Sequence, residues 1–466
     1  MRVVIVGGGI AGLSAAYVLE RKATESLEVV LVEREYRLGG KIRTERADGF
    51  VIEGGPDTFV STKPWAVDLC RELGMEDRLQ GTDEARRRVY VLHQGRLVEL
   101  PDGLAMMVPT RIWPMVKTPL LSAAGKVRMG LDLVLPAHPD EGDESLGNFV
   151  TRRLGREVYE RLIEPLMSGI YAGDGDRLSL QATFPFLREW ELRYGSLTRG
   201  ALALRRKRSS PNGRRSIFLT PLTGLAELVE ALQANLRQTQ VHLGASVKAI
   251  RRLEEGFELR TADGPPLRAD AVILAAPAPA AAGMLAGMDE ELVGLLASIE
   301  YVSTATVSLA FRSSDLPRPL DGHGYIIPRV EGREALACTW TSTKFPHRAP
   351  DGYALLRVFI GRAGQGDELL ADERCLLDVA RRELAQTLGL QAEPVVTRVY
   401  RWPQAMPQYN LGHPRRLEEI EARLRHLPGL FLAGAAYRGI GIPDCIRSGQ
   451  EAARTALDYL ASSRRP

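Results

Sequence analysis

Residues 2–12 run Arg2-Val3-Val4-Ile5-Val6-Gly7-Gly8-Gly9-Ile10-Ala11-Gly12, and their reading decides the fold. The β-branched run RVVIV breaks at three glycines and passes into LSAAYVLERK, which has the composition of a helix. A second apolar run, LEVVLV, follows and stops at Glu33. Strand, glycine turn, helix, strand and terminal acid, in that order, predict a dinucleotide-binding βαβ unit. Gly7 allows the tight turn, Gly9 lets the backbone approach a pyrophosphate, and Gly12 lets helix and strand pack closely. Ile10 and Ala11 open the helix, where free N–H groups and a positive dipole end favour a diphosphate. Glu33, roughly 20 residues further on, is placed to accept hydrogen bonds from a ribose, with Arg34 beside it. The motif lies at the start of the sequence, which favours FAD among the dinucleotides.

A chain of 466 residues is long for one domain, so two or three are expected. Hydrophobic content of 45% and charged content of 26% are those of a soluble globular protein. A net charge of +3 is too small a bias for a nucleic-acid partner. The four cysteines, Cys70, Cys338, Cys375 and Cys445, form no CxxC pair, so free thiols in a reducing cytoplasm are expected. The seven histidines show no HxxxH or HExxH spacing, and no metal site is expected. The N-terminal apolar run is short and broken by glycine, unlike a signal peptide. No stretch approaches about 20 uninterrupted apolar residues. The nearest, Leu120 to Pro136, carries Lys126, Arg128 and Asp132 and reads as a buried helix, with an interfacial helix as the alternative. The protein is expected in the cytoplasm. The lack of a spanning segment permits peripheral contact with the inner face of a membrane.

Beyond the βαβ unit, Arg37-Leu38-Gly39-Gly40-Lys41-Ile42-Arg43-Thr44 sets a glycine pair between cations, as suits a loop passing close to a phosphate or flavin. Gly49 to Asp57 reads as a strand entering a second glycine turn, Gly54-Gly55-Pro56-Asp57, and Lys63 follows in a loop. Residues 83–204 turn helical, with Leu146, Phe149, Val150, Leu154, Val158, Leu162 and Leu166 at helical spacing and Pro165 marking a kink or break. Residues 205–215, RRKRSSPNGRR, read as a basic surface loop. From Ser216 a helix and a small β-meander lead to ADAVILAAP. Residues 291–416 carry strands with a helix on one face, an α+β pattern. At the C-terminus Gly434, Gly439 and Gly441 precede a helix that starts at Pro443 with Asp444 in its first turn.

These readings give α/β plus α+β: a discontinuous Rossmann-like FAD-binding domain, a mixed-sheet substrate domain and an inserted helical subdomain. The FAD-binding domain is assigned residues 1–45, 216–290 and 417–466. The substrate domain is assigned 46–82 and 291–416, the helical and membrane-associating candidate 83–204, and the basic loop 205–215.

The pattern RxGG(R/K)xxT at Arg37 to Thr44 resembles the second FAD motif of the GG-doublet flavoproteins. These include amine oxidases, phytoene desaturases, protoporphyrinogen oxidases and GDP-dissociation inhibitors. LIEPLMSGIYAGD, ACTWTSTKFPHRAP, RWPQAMPQYNLGH and GIPDCI together resemble the oxygen-dependent porphyrinogen oxidases of Gram-positive bacteria, over nearly the whole chain. The resemblance implies FAD, held without a covalent link because the segment following Trp402 has no cysteine where monoamine oxidases link the flavin. It implies that Gly40 and Lys41 meet the cofactor, that Gly54 to Asp57 pass along the flavin ring and that Trp402 lies against it. It implies that the Val247 backbone contacts adenine. Gly434, Ile440, Gly441 and Ile442 then belong to the segment whose helix aims at the flavin pyrimidine, and Cys445 is a packed thiol. Ala435 stands where many FAD enzymes carry an aspartate, which puts one cofactor contact in doubt.

The activity implied is a six-electron oxidation of a porphyrinogen, with oxygen as acceptor and hydrogen peroxide released, within haem biosynthesis. Coproporphyrinogen III is favoured, with protoporphyrinogen IX as the alternative. An amine oxidase and a non-enzymatic binding module remain further alternatives. The flavin accepts the hydride, so no general base is assigned. Lys63 is the candidate cation for a substrate carboxylate, and Arg447 and His413 are weaker candidates. A ferrochelatase is the expected downstream recipient of the product.

Overall fold

The computed structural model describes residues 1–22, 27–105, 108–109, 111–138, 142–207, 216–366 and 372–463. Most of the basic stretch read as a surface loop, residues 208–215, lies outside them; residues 205–207 end the helix Leu197–Lys207.

β1 (Arg2–Val6) enters the glycine turn, α1 (Ile10–Lys22) leaves it, and β2 (Glu28–Val32) returns alongside β1. The two strands are parallel, with Ile5 opposite Leu31. Ala271–Leu274 flanks β1 on its other side, and Gln240–His242 and Leu430–Leu432 complete a parallel sheet of five strands. Both faces of such a sheet are covered, so its central strands are apolar and almost wholly buried, while the edge strand Gln240–His242 is polar and largely exposed. Val3 and Ile5 pack towards α1 and the C-terminal helix (Ile442–Ser462), and Val4 and Val6 pack into a second core with Val272 and Phe257. Gly449 is where α1 and the C-terminal helix meet: a Cβ there would stand 1.9 Å from the Ala11 carbonyl oxygen. The antiparallel meander Val247–Arg252, Phe257–Thr261, Leu267–Ala269 lies at the edge of this unit.

A mixed sheet of seven strands forms the other half. Tyr301–Arg312 pairs antiparallel with both Val396–Pro407 and Tyr353–Ile360, and Ala335–Trp340 and Gly322–Ile326 extend the sheet. Its last two strands are Arg88–His93 and Arg96–Glu99. These residues were expected in the helical insertion, and the structure corrects that boundary. RVYVLH is a short run rich in β-branched and aromatic residues, and Gln94-Gly95 turns it back on itself.

The helices of the insertion pack around Leu146, Phe149, Val150, Leu154, Val158 and Leu162, all buried as their spacing required, with Leu166 partly buried. Pro165 lies at the start of the helix Glu164–Tyr171, directly after a π-helical stretch, Tyr159–Ile163. Proline has no N–H to give the preceding turn, and the wider π turn absorbs the mismatch. Leu120 to Pro136 is not the buried helix its composition suggested. It forms a short helix, Ala123–Gly130, and one further turn, and leaves Val127 and Val134 exposed. Among the described residues, no helix is long and apolar enough to cross a membrane.

Candidate active site

The glycine turn after β1 leaves a specific space. Gly7 has φ +110°, and a Cβ on it would meet the Ala275 carbonyl oxygen at 2.8 Å, so only glycine fits. A Cβ on Gly12 would stand 1.9 Å from the Gly7 carbonyl oxygen. A Cβ on Gly9 would meet nothing within 4 Å. The first two glycines are demanded by the protein's own packing, whereas the third faces open room at the N-terminus of α1. The first-turn N–H groups there lack helical partners and point outwards. On the far side, Gly434, at φ +118°, also has nothing within 4 Å of its Cβ position, and its N–H donates to Ser448 Oγ at 3.0 Å.

The second glycine pair is locked against the first. Gly39 N–H donates to the Gly8 carbonyl at 2.8 Å, and a Cβ on Gly40 would touch Gly9 Cα at 3.1 Å. Arg37 holds this loop from behind by donating to the carbonyls of Leu38, Gly40 and Ile42. Lys41 turns inwards, and its ammonium donates to the Ala405 carbonyl. Burial lowers its pKa from the ordinary lysine value. Glu33 closes the other end. One carboxylate oxygen accepts from Gly8 N–H at 2.6 Å and the other from Glu35 N–H at 2.8 Å. The neighbouring Arg34 is exposed and reaches Glu35. Ala245 N–H donates to the Glu33 carbonyl at 2.9 Å, which brings the buried Val247 to the same end of the cradle.

Gly54, Gly55, Pro56 and Asp57 run along the open side. The Gly54 carbonyl accepts from Trp402 Nε1 at 2.7 Å and from Thr306 Oγ1 at 3.0 Å. A Cβ on Gly55 would collide with the Lys41 carbonyl oxygen at 1.8 Å. Asp57 accepts from Lys344 Nζ at 2.8 Å, and this cation and Arg357 hold its carboxyl well below the usual aspartate range against the opposing effect of burial. Arg357 itself donates to the Gly55 carbonyl from a fully buried position. An arginine inside the apolar strand YALLRVFI is a sequence signal for such a role, and it went unread.

The C-terminal helix begins with Gly441 as its N-cap and Pro443 in its first turn, and no side chain caps it. Its first-turn N–H groups are therefore available to a ligand, and Ile440 and Ile442 flank them. Tyr409 supports the preceding loop. Its hydroxyl donates to the Ala435 carbonyl at 2.7 Å and accepts from Gly439 N–H at 2.8 Å, a pairing nothing in the local sequence announces. Cys445 is buried within the helix start, and burial pushes its thiol up to about 12.

The three candidate cations behave differently. Lys63 lies at the start of α2 (Pro64–Glu72) and pairs with Asp444, its Nζ 2.6 and 2.8 Å from the two carboxylate oxygens. Arg447, one turn beyond Asp444, stacks over the Trp65 ring at 4.4 Å. His413 is corrected. It is 1% exposed, stacks on Tyr409 and has its Nε2 3.0 Å from the Tyr437 carbonyl oxygen. Burial pushes its pKa down to about 4, so it is neutral and closed off from any substrate. Among the described residues there is no cluster of acids, cysteines and histidines suited to a metal ion.

An open glycine cradle at a helix N-terminus, an acid at the tip of β2 and an uncapped second helix define a flavin-binding oxidoreductase. The sequence pattern described as "Flavin containing amine oxidoreductase" matches residues 10–457. The chain belongs to that family and, within it, to the porphyrinogen oxidase group. It is 40% identical to the coproporphyrinogen III oxidase of Bacillus subtilis over 99% of this chain and 98% of that protein. It is 32% identical to the chloroplastic protoporphyrinogen oxidase 1 of Arabidopsis thaliana over 98% of this chain and 88% of that one. A crystal structure from Exiguobacterium sp. 255-15, provisionally named protoporphyrinogen oxidase, superposes with TM-score 0.87 at 35% identity, covering 99% of both chains. A cyclohexylamine oxidase from Brevibacterium oxydans shares the fold, with TM-score 0.72 at 20% identity. FAD is the cofactor of this fold, and the open positions at Gly9 and Gly434 fit it.

Proposed function

We propose that this protein oxidises coproporphyrinogen III to coproporphyrin III, with oxygen as electron acceptor. The observation that carries this reading is the full-length similarity, at 40% identity, to an enzyme named for that substrate. Overall, the porphyrinogen and three molecules of oxygen give the porphyrin and three of hydrogen peroxide. FAD, when bound, supplies the hydride acceptor and passes the electrons to oxygen. The residues of the chain bind and orient. Gly7, Gly9, Ile10, Ala11 and Gly12 would cradle the pyrophosphate, Glu33 the ribose, with Arg34 and Val247 beside the adenine. Gly40, Lys41, Gly54, Gly55, Pro56, Asp57 and Trp402 would follow the flavin. The helix start at Gly434 to Ile442 would turn positive N–H groups towards its pyrimidine, where negative charge develops on reduction.

A methylene bridge between two pyrroles is already activated, so position and electrostatics suffice and no side-chain base is required. Lys63 is the residue proposed to meet a substrate carboxylate. Similarity to plant protoporphyrinogen oxidases supports protoporphyrinogen IX as the second substrate to test.

The proposed setting is the cytoplasm, with the porphyrin passed to a ferrochelatase. Trp113 and Val127, 72% and 69% exposed on helices that also carry exposed Lys117, support peripheral contact with a membrane surface. Steady-state assays of the yellow protein on both porphyrinogens, with peroxide counted, test the reading. A higher kcat/KM for coproporphyrinogen III is expected. Activity on neither, with FAD bound, overturns it.

A further inference from the structure

The Lys63–Asp444 pair joins two elements that are 381 residues apart in sequence, and its two halves are unequally placed. Asp444 is 6% exposed in its side chain and Lys63 is 44% exposed. Asp444 lies in the first turn of the C-terminal helix, where the helix end favours a negative charge. It fills the space that side chains at two neighbouring glycines would need: a Cβ on Gly439 would lie 2.4 Å from Asp444 Cγ, and one on Gly441 would lie 3.0 Å from Oδ2. Low exposure and two contacts to Lys63 Nζ hold the carboxylate in this position. An ammonium has three donors. Two of them are spent on the Asp444 oxygens, at 2.6 and 2.8 Å, which leaves one on the exposed side.

We propose that Asp444 is a specificity-determining residue that acts through Lys63: it orients the free N–H of Lys63 towards a substrate carboxylate and, by staying charged beside it, weakens that contact. The inference rests on the porphyrinogen reading of the site. Its chemical consequence concerns a polycarboxylate. A full cation facing a substrate with several propionates would hold the product as tightly as the substrate. A cation already shared with a fixed carboxylate guides the macrocycle and still releases it. A substrate with four carboxylates feels the attenuation more than one with two, because more of its carboxylates can present themselves to Lys63.

The test uses the flavin-loaded enzyme and three variants, Asp444→Asn, Lys63→Met and the double variant. Asparagine keeps one acceptor for Lys63 and removes the charge. The readouts are KM and kcat for both porphyrinogens, equilibrium binding of coproporphyrin III followed by its fluorescence, and thermal midpoint. In Asp444→Asn, KM for coproporphyrinogen III and Kd for coproporphyrin III should fall by about twofold to fivefold, as expected for unmasking one partly exposed ion pair. The change for protoporphyrinogen IX should be smaller, and kcat should fall as release slows. Lys63→Met should raise both constants, and the double variant should match Lys63→Met, since Asp444 acts only through Lys63. The inference is overturned if Asp444→Asn shifts the thermal midpoint alone, or if it tightens binding equally in the Lys63→Met background. If the wild-type enzyme oxidises neither porphyrinogen, the functional reading itself fails, a result distinct from either of these.

Discussion

Substituting Gly9 and Gly12 separately distinguishes a cofactor cradle from a merely tight turn. Gly9 does not have the left-handed backbone that penalises a side chain, and a Cβ on it would meet no protein atom within 4 Å. Gly9→Ala should therefore leave the apoprotein folded, and even stabilise it by about 0.4–1 kcal/mol through a stiffer unfolded chain. The cost should fall on FAD. A methyl group forced against a diphosphate costs about 1–3 kcal/mol, and a lost N–H contact to a charged oxygen about 1.5–3 kcal/mol more. Together these weaken FAD roughly a thousandfold. Gly12→Ala is the opposite case. Its Cβ would stand 1.9 Å from the Gly7 carbonyl oxygen and 3.3 Å from Ala275 Cβ, backbone and core that cannot yield. A loss of about 3 kcal/mol or more is expected, with little folded protein recovered. The assay is flavin content by absorbance after purification, FAD titration of the apoprotein, and circular dichroism of both variants. Full flavin content in Gly9→Ala would refute the cradle, and unfolding of Gly9→Ala would refute the claim that its space is open.

Other consequences concern the loop beside the flavin and the buried charges. Trp402→Phe removes the 2.7 Å bond to the Gly54 carbonyl while Thr306 keeps its own. It should cost about 1 kcal/mol, read as a lower thermal midpoint of the holoenzyme. The depressed Asp57 carboxyl makes its pairing with Lys344 fully stabilising above the ordinary aspartate range, and that stability is lost as pH falls through and below it. Asp57→Asn should lose about 2–4 kcal/mol at neutral pH by stranding Lys344, and acid melting curves should show a flatter acid limb. His413 titrates ordinarily near 6.5 when unfolded and near about 4 when buried, so stability is complete above the higher value and falls as pH drops between the two. His413→Gln should remove up to about 3 kcal/mol of that acid sensitivity, measured as the difference in thermal midpoint between neutral and acid buffers.

How far the chain could be read follows from where its constraints are local. The βαβ unit was legible because each requirement falls on one residue type within a few positions: no Cβ at Gly7, none at Gly12, open room at Gly9 and an acid closing β2. The helical insertion was legible for the same reason, since Leu146, Phe149, Val150 and Leu154 repeat at the helical period and are buried together. Legibility ended where a residue's state depends on a distant partner. His413 read as a cation, yet Tyr409 and the Tyr437 carbonyl enclose it and keep it neutral. Lys63 read as a free cation, and only the fold shows that it carries Asp444 with it. Arg88–His93 has a clear strand pattern, but its place in the seven-stranded sheet is fixed by the parallel partner Gly322–Ile326, more than 200 positions away. The chemistry deepens this asymmetry. A flavin performs the hydride transfer, so the substrate side needs no nucleophile, metal or catalytic base with a recognisable spacing. The cofactor therefore leaves its mark in short motifs. The substrate leaves its mark only in how a few charges are paired and buried, and the pair proposed to act on it, Lys63 and Asp444, joins residues 381 positions apart that no local motif connects.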